Sequence, residues 1–194
     1  MSTKKDHTSH PATNESSKPN QSGFMQAINE RKAILLPLAK YVGIILGFYL
    51  IWGSPWFQNN IVPGLTALNA NLAGFFLNLF GENVNVSNSI ISNGNDSVNV
   101  KSGCDGLEAM IICIAGVLVY PTKLRFKWPG IFFGLLFLFS LNLFRIITLY
   151  LTNKYWPAAF DIMHLDVWQF IFIVLAIITV VIWINWANKK ENHA

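Results

Sequence analysis

Residues 129–151 read PGIFFGLLFLFSLNLFRIITLYL. The stretch is close to the roughly 20 residues that cross a bilayer, and its one charge is Arg145. An arginine inside a lipid-spanning segment is costly, so by default it marks a working site and not packing. Asn142 lies one turn earlier on the same helical face, so two polar groups point the same way.

Three further apolar stretches flank this one, at Ile34–Trp52, Cys104–Tyr120 and Leu165–Ala187. Hydrophobic residues make up 53% of the 194-residue chain and charged residues 12%, against about 25% charged in soluble domains. The mean hydropathy of +0.40 agrees with a chain that lives mainly in lipid. The net charge of +4 therefore bears on topology and contact with anionic membrane lipid. No basic stripe interleaved with aromatic residues is present, which excludes nucleic acid as a partner. The first apolar stretch is not a cleavable signal: its leading tail is too long, and Ser54-Pro55-Trp56 follows where a small-x-small site belongs. Three regions result: a disordered cytoplasmic tail (1–33), a membrane-embedded domain (34–187) and a short cytoplasmic tail (188–194). His7 and His10 fall in the first tail and read as solvated residues. No internal repeat is evident.

Between the first two spans the pattern changes twice. Ile61, Leu65, Leu68, Leu72, Phe75, Phe76 and Leu79 follow helical spacing, interrupted by Asn69, Asn71 and Asn78. Residues 82–101 alternate, with Val84 and Val86, then Val98 and Val100, around Asn93-Gly94, a hairpin signal. A three-residue loop at 93–95 would face Val98 with Ile90 and suits the alternation better than a two-residue turn at Asn93-Gly94, which faces Val98 with Ser89. Lys and Arg set the orientation. They cluster in the N-terminal tail, in the loop with Lys123, Arg125 and Lys127, and at Lys189 and Lys190, and all three clusters belong inside. The pattern closes only if residues 61–80 do not cross an odd number of times, which favours a surface or re-entrant helix there. The expectation is an all-α integral membrane protein with about four transmembrane helices, one interfacial or re-entrant amphipathic helix and a small extracytoplasmic β-hairpin.

This topology brings Cys104, Arg145 and His164 to one depth, with Arg145 roughly 9 Å inside the outer end of its helix. Cys104 sits between Gly103 and Gly106, where backbone can approach closely. At a helix N-terminus its thiol is acidified by the dipole and by nearby cations. Glu108, one turn along, is a candidate ion-pair partner for Arg145. A cysteine and a histidine at one level supply a nucleophile and a proton carrier. Cys113 falls roughly 13 Å from Cys104 on the opposite helix face, beyond disulfide reach, and reads as a packing residue. No zinc-type ligand set is evident, and no cofactor is implied.

Cys104-Asp105-Gly106-Leu107-Glu108, Asn142-Leu143-Phe144-Arg145 and His164, in order at successive helices, resemble the exosortase/archaeosortase family of membrane transpeptidase-like enzymes. The stretches around Cys104 and His164 look closest to the short exosortase H subgroup, and the resemblance covers roughly residues 34–187. It implies an enzyme of the cell (inner) membrane that recognises exported proteins by a C-terminal motif, transmembrane helix and basic cluster. Such an enzyme cleaves near the motif on the outer face and passes the new C-terminus to an acceptor, such as a lipid or glycan. The family's catalytic set carries over to Cys104 as nucleophile, Arg145 for the oxyanion or substrate orientation, and His164 as general acid/base, with Asn142, Glu108 and Gly106 supporting. Many members have extra N-terminal helices that this chain lacks. A Cys-dependent acyl or lipid transferase and a non-enzymatic membrane assembly protein are the alternative classes.

Overall fold

The computed structural model describes residues 21–94 and 96–192. Most of residues 1–33, with His7 and His10, and the last two residues of the C-terminal tail lie outside that range. Helix α1 spans Gln21–Trp52, α2 Pro55–Asn60 and α3 Val62–Leu79. Strands β1 (Asn85–Ser87), β2 (Ile90–Asn93) and β3 (Asp96–Asn99) follow, then α4 (Leu107–Val119), α5 (Leu124–Tyr155) and α6 (Trp168–Asn192). A 3-10 turn at Pro157–Ala159 and a π-helical segment at Ile162–Val167 lead into α6. Helix α1 thus starts well before the expected Ile34, and α6 runs past the expected end at Ala187. The chain divides into two compact units within α1, between Leu36 and Pro37. The candidate site lies entirely in the second.

The fold is mostly helical, and three helices are long and apolar enough to cross a membrane: Leu35–Trp52, Leu124–Tyr155 and Pro157–Asn192. The fourth expected span, Cys104–Tyr120, is shorter. Its helix covers only Leu107–Val119, about 20 Å at helical rise against a hydrocarbon core of about 30 Å. Both stops are local. Gly106 caps the start in the left-handed region (φ +78), and Tyr120 is extended ahead of Pro121, as residues before proline are.

Helices α4, α5 and α6 pack around one core that includes Cys113, Leu138, Phe172, Ala176 and Trp183. Small residues permit the approach. A Cβ at Gly130 would strike the Trp183 indole, and one at Gly134 would come within 2.8 Å of Cys113 Sγ. Trp183 Nε1 donates to Phe126 O at 2.9 Å, which satisfies the indole in an apolar setting. Cys113 is fully buried and both cysteines are free.

A second core joins α3, the sheet and the C-terminal half of α5 through Ala73, Leu77, Val84, Ile91, Ile146 and Tyr150. The sheet has three antiparallel strands where two were expected, because the chain turns at Asn88 (φ +54) between β1 and β2. Its register also differs from both expected loops: Val98 pairs with Ile91, and Asn93 with Asp96. The reason is a continuous apolar row, Val86–Ile91–Val98, facing the helices. Ile91 is fully buried there while Ile90 is exposed. The row sits tightly on α3, where a Cβ at Gly74 would strike Val86.

Helix α3 buries Val62, Thr66, Asn69, Ala70, Ala73, Gly74 and Leu77 and leaves Leu68, Phe75 and Leu79 exposed. Its packed face is thus mainly small and polar, which lets neighbouring backbone approach closely. Asn78 clamps the helix end to the sheet, donating to Val84 O at 3.0 Å and accepting from Val84 N at 2.6 Å. Glu82 pairs with Lys154 and accepts from Tyr155 Oη at 3.1 Å, fixing the sheet to the end of α5. The lysine holds the Glu82 carboxyl below the usual carboxylate range.

Candidate active site

Cys104 does not belong to α4; it lies in the turn before it, framed by Gly103 (φ +91) and Gly106 (φ +78). Both glycines occupy the left-handed region, which other residues enter at a cost of about 1–3 kcal/mol. The turn is closed by Cys104 N donating to Lys101 O at 2.9 Å and by Leu107 N donating to the Asp105 carboxylate at 3.2 Å. Off the helix proper, the thiol is not acidified as expected. Burial pushes it up, and the Arg145 charge pulls it down.

His164 reaches the thiol from the π-helical segment. Its Nε2 is 3.5 Å from Cys104 Sγ and its Nδ1 3.9 Å. Phe160, one turn earlier, stacks on the imidazole with centroids 5.7 Å apart and planes 14° off parallel. A π-turn inserts a residue into a helix and is frequent at functional sites; here it carries the histidine.

Arg145 is buried on α5, its guanidinium 5.4 Å from the Phe172 ring centroid. The expected Arg145–Glu108 ion pair is not formed: among the described residues the salt bridges are Lys123–Glu191 and Lys154–Glu82. Glu108 and Arg145 instead line a cavity of about 190 Å³, together with Tyr49, Gly103, Gly106 and Gln169. Arg145 Nε has no hydrogen-bond partner. Asn142 is fully buried and fixed in orientation, with Nδ2 donating to Asn69 Oδ1 at 3.3 Å while Asn69 Nδ2 donates to Leu65 O at 3.0 Å. This leaves Asn142 Oδ1 unpartnered and turned to the Cys104 turn, 3.2 Å from where a Gly106 Cβ would be.

Gly106→Ala therefore combines left-handed strain with a collision against Asn142. We expect it to cost about 1–3 kcal/mol of stability and to reduce thiol reactivity. Thermal unfolding in detergent and the rate of Cys104 labelling by a maleimide check both effects.

The geometry thus holds a thiol beside an imidazole, and a buried guanidinium on the cavity that the two glycines open. The family model for transmembrane exosortases (Exosortase_EpsH) matches residues 32–183, which takes in all of these positions. The chain belongs to the transmembrane exosortase family. No curated protein and no solved structure matches it. In this exosortase, no group of three or more His, Cys, Asp or Glu side chains is placed to hold a metal ion among the described residues.

Several residues at the site did not stand out in the sequence. Asn69 read as an interruption of an apolar face, yet it is the residue that orients Asn142. The repeated asparagines of residues 61–80 were the available signal. Phe160 and Phe172 touch the functional side chains, but aromatic residues abound in every span and neither is marked by type.

Proposed function

We propose that this exosortase is a membrane cysteine protease/transpeptidase that removes the C-terminal sorting signal of exported proteins and passes them to a cell-surface acceptor. The observation that carries this reading is the 3.5 Å approach of Cys104 Sγ to His164 Nε2. A thiol becomes a strong nucleophile when a neighbouring base takes its proton, and the imidazole is within reach. Cys104 attacks the scissile carbonyl while His164 takes the thiol proton. Arg145 stabilises the oxyanion or orients the substrate, and a single such donor contributes about 3–4 kcal/mol. The tetrahedral intermediate collapses to a thioester. The C–N bond breaks, and His164 returns its proton to the leaving amine. An amine-bearing acceptor or water, deprotonated by His164, then attacks the thioester and frees the thiol.

The clusters of Lys and Arg support placing both termini on the cytoplasmic side of the inner membrane and the site on the outer side. The substrates are exported proteins ending in a motif, a transmembrane helix and a basic cluster, and a lipid or glycan supplies the acceptor. A thioester is intercepted by hydroxylamine. Processing in its presence is expected to give a C-terminal hydroxamate, seen by mass spectrometry. A product carrying neither hydroxamate nor any Cys104 dependence would reject the mechanism.

A further inference from the structure

A groove of about 420 Å³ runs between α5 and α6 and shares no residue with the Arg145 cavity. Gly130 and Gly134 line it where α5 is buried, and Phe133, Ile178, Ile182 and Trp186 line it where the two helices are open. The lining follows helical spacing, with Pro129, Phe133 and Phe137 on α5 and Ile178, Ile182 and Trp186 on α6. Continued by one turn, both stripes end in cations. Arg125 precedes Pro129 by one turn, and Lys189 and Lys190 follow Trp186 by one turn. The two helix ends meet through aromatic rings. The Arg125 guanidinium lies 4.6 Å from the centroid of Phe126, and that ring meets Trp186 edge-on at 6.1 Å. Arg125, Lys189 and Lys190 are all exposed, and none forms a salt bridge among the described residues. Glu191, the acid of the same helix end, is engaged instead by Lys123 at 4.0 Å and by Thr122 Oγ1 at 3.1 Å.

We infer that this groove is a binding site for one anionic phospholipid, with an acyl chain between α5 and α6 and the headgroup phosphate on Arg125, Lys189 and Lys190. The apolar lining suits any lipid tail; the cations choose the headgroup. A lipid of no net charge leaves three cations uncompensated, whereas an anionic headgroup at a basic pocket between spanning helices neutralises them. The arginine fork adds paired hydrogen bonds to phosphate oxygens. Trp186 stands at the junction of tail and headgroup, the level at which an amphipathic ring is favoured. The same charges disfavour other occupants. A second copy of this chain in the same orientation would set like charges face to face, and a spanning helix that ends in basic residues would meet the same repulsion. The site is independent of the reaction at Cys104.

The test measures thermal unfolding of the full-length protein in a neutral detergent, with added phosphatidylglycerol or with phosphatidylcholine of the same acyl chains. Phosphatidylglycerol at saturation is expected to raise the melting temperature by about 5 °C or more, and phosphatidylcholine by less than half as much. Glycerol 3-phosphate, which offers the phosphate without the tails, should give no shift. Two variants separate headgroup from tail. Arg125→Gln, Lys189→Gln and Lys190→Gln combined remove the charges. Ile178→Trp keeps them and fills the groove from a half-exposed position. Each shift is taken against the same variant without lipid, and both variants should respond to phosphatidylglycerol no more than to phosphatidylcholine. Equal shifts from the two lipids in the native protein, or a phosphatidylglycerol-specific shift that survives either variant, overturn the assignment. A shift from glycerol 3-phosphate equal to that from the lipid would reassign the cations to free phosphate. A lipid-free dimer dispersed by Ile178→Trp would give the groove to a second copy; both results reject the lipid site.

Discussion

Cys104→Ala should leave the protein accumulating in the membrane while processing of a co-expressed substrate stops, a loss of at least on the order of a thousandfold, as removal of a nucleophile gives elsewhere. The fold does not depend on this thiol. Cys104 lies in a turn held by its backbone and by the Asp105 carboxylate, and its Sγ is only partly buried, facing His164. Cys113→Ala is the matched control, with the opposite signature. Cys113 is fully buried and packs against Gly134, so its loss leaves a small cavity and costs stability while activity per folded molecule persists. Gel mobility of the substrate, its terminal mass and thermal unfolding of the enzyme separate the two variants. Processing retained in Cys104→Ala would refute the nucleophile assignment.

Arg145→Met should lower processing by about 100- to 1000-fold, the usual loss for one oxyanion donor, and at the same time raise thermal stability. Arg145 is 4% exposed, has no ion-pair partner among the described residues, and leaves Nε unbonded. An unpaired buried charge costs free energy, and an apolar side chain of similar volume relieves it. Met fills that volume beside Phe172. A structural role predicts the reverse, with lost stability and an intact rate per folded molecule. Melting temperature in detergent together with single-turnover processing decides between the two roles.

Rare chemistry in apolar surroundings was legible in the sequence. Arg145 stands out because little around it is polar, Cys104 and His164 because each opens an apolar stretch, and charge placement restricted how the spans run. Features set by packing were not legible. Asn69 was hidden because α3 buries threonine, asparagine and small residues and leaves Leu68, Phe75 and Leu79 exposed, so helical periodicity of large apolar residues points to the wrong face. The sheet register depended on which of two adjacent isoleucines, Ile90 or Ile91, the helices would cover, and alternation alone does not distinguish them. The expected Arg145–Glu108 pair followed from helical spacing that assumed α4 begins at Cys104. The left-handed glycine at 106 delays the helix to Leu107 and changes the spacing.

The π-helical segment under His164 gives this exosortase a dependence on phase. Each residue of an α-helix advances the face by about 100°, so the single extra residue in that turn sets which way the imidazole points. Losing it would preserve the segment's hydropathy, its composition and the histidine itself, yet rotate the ring off the thiol. Among related chains, a single-residue gap in this turn would then be expected to silence the site even where the cysteine and the histidine both align.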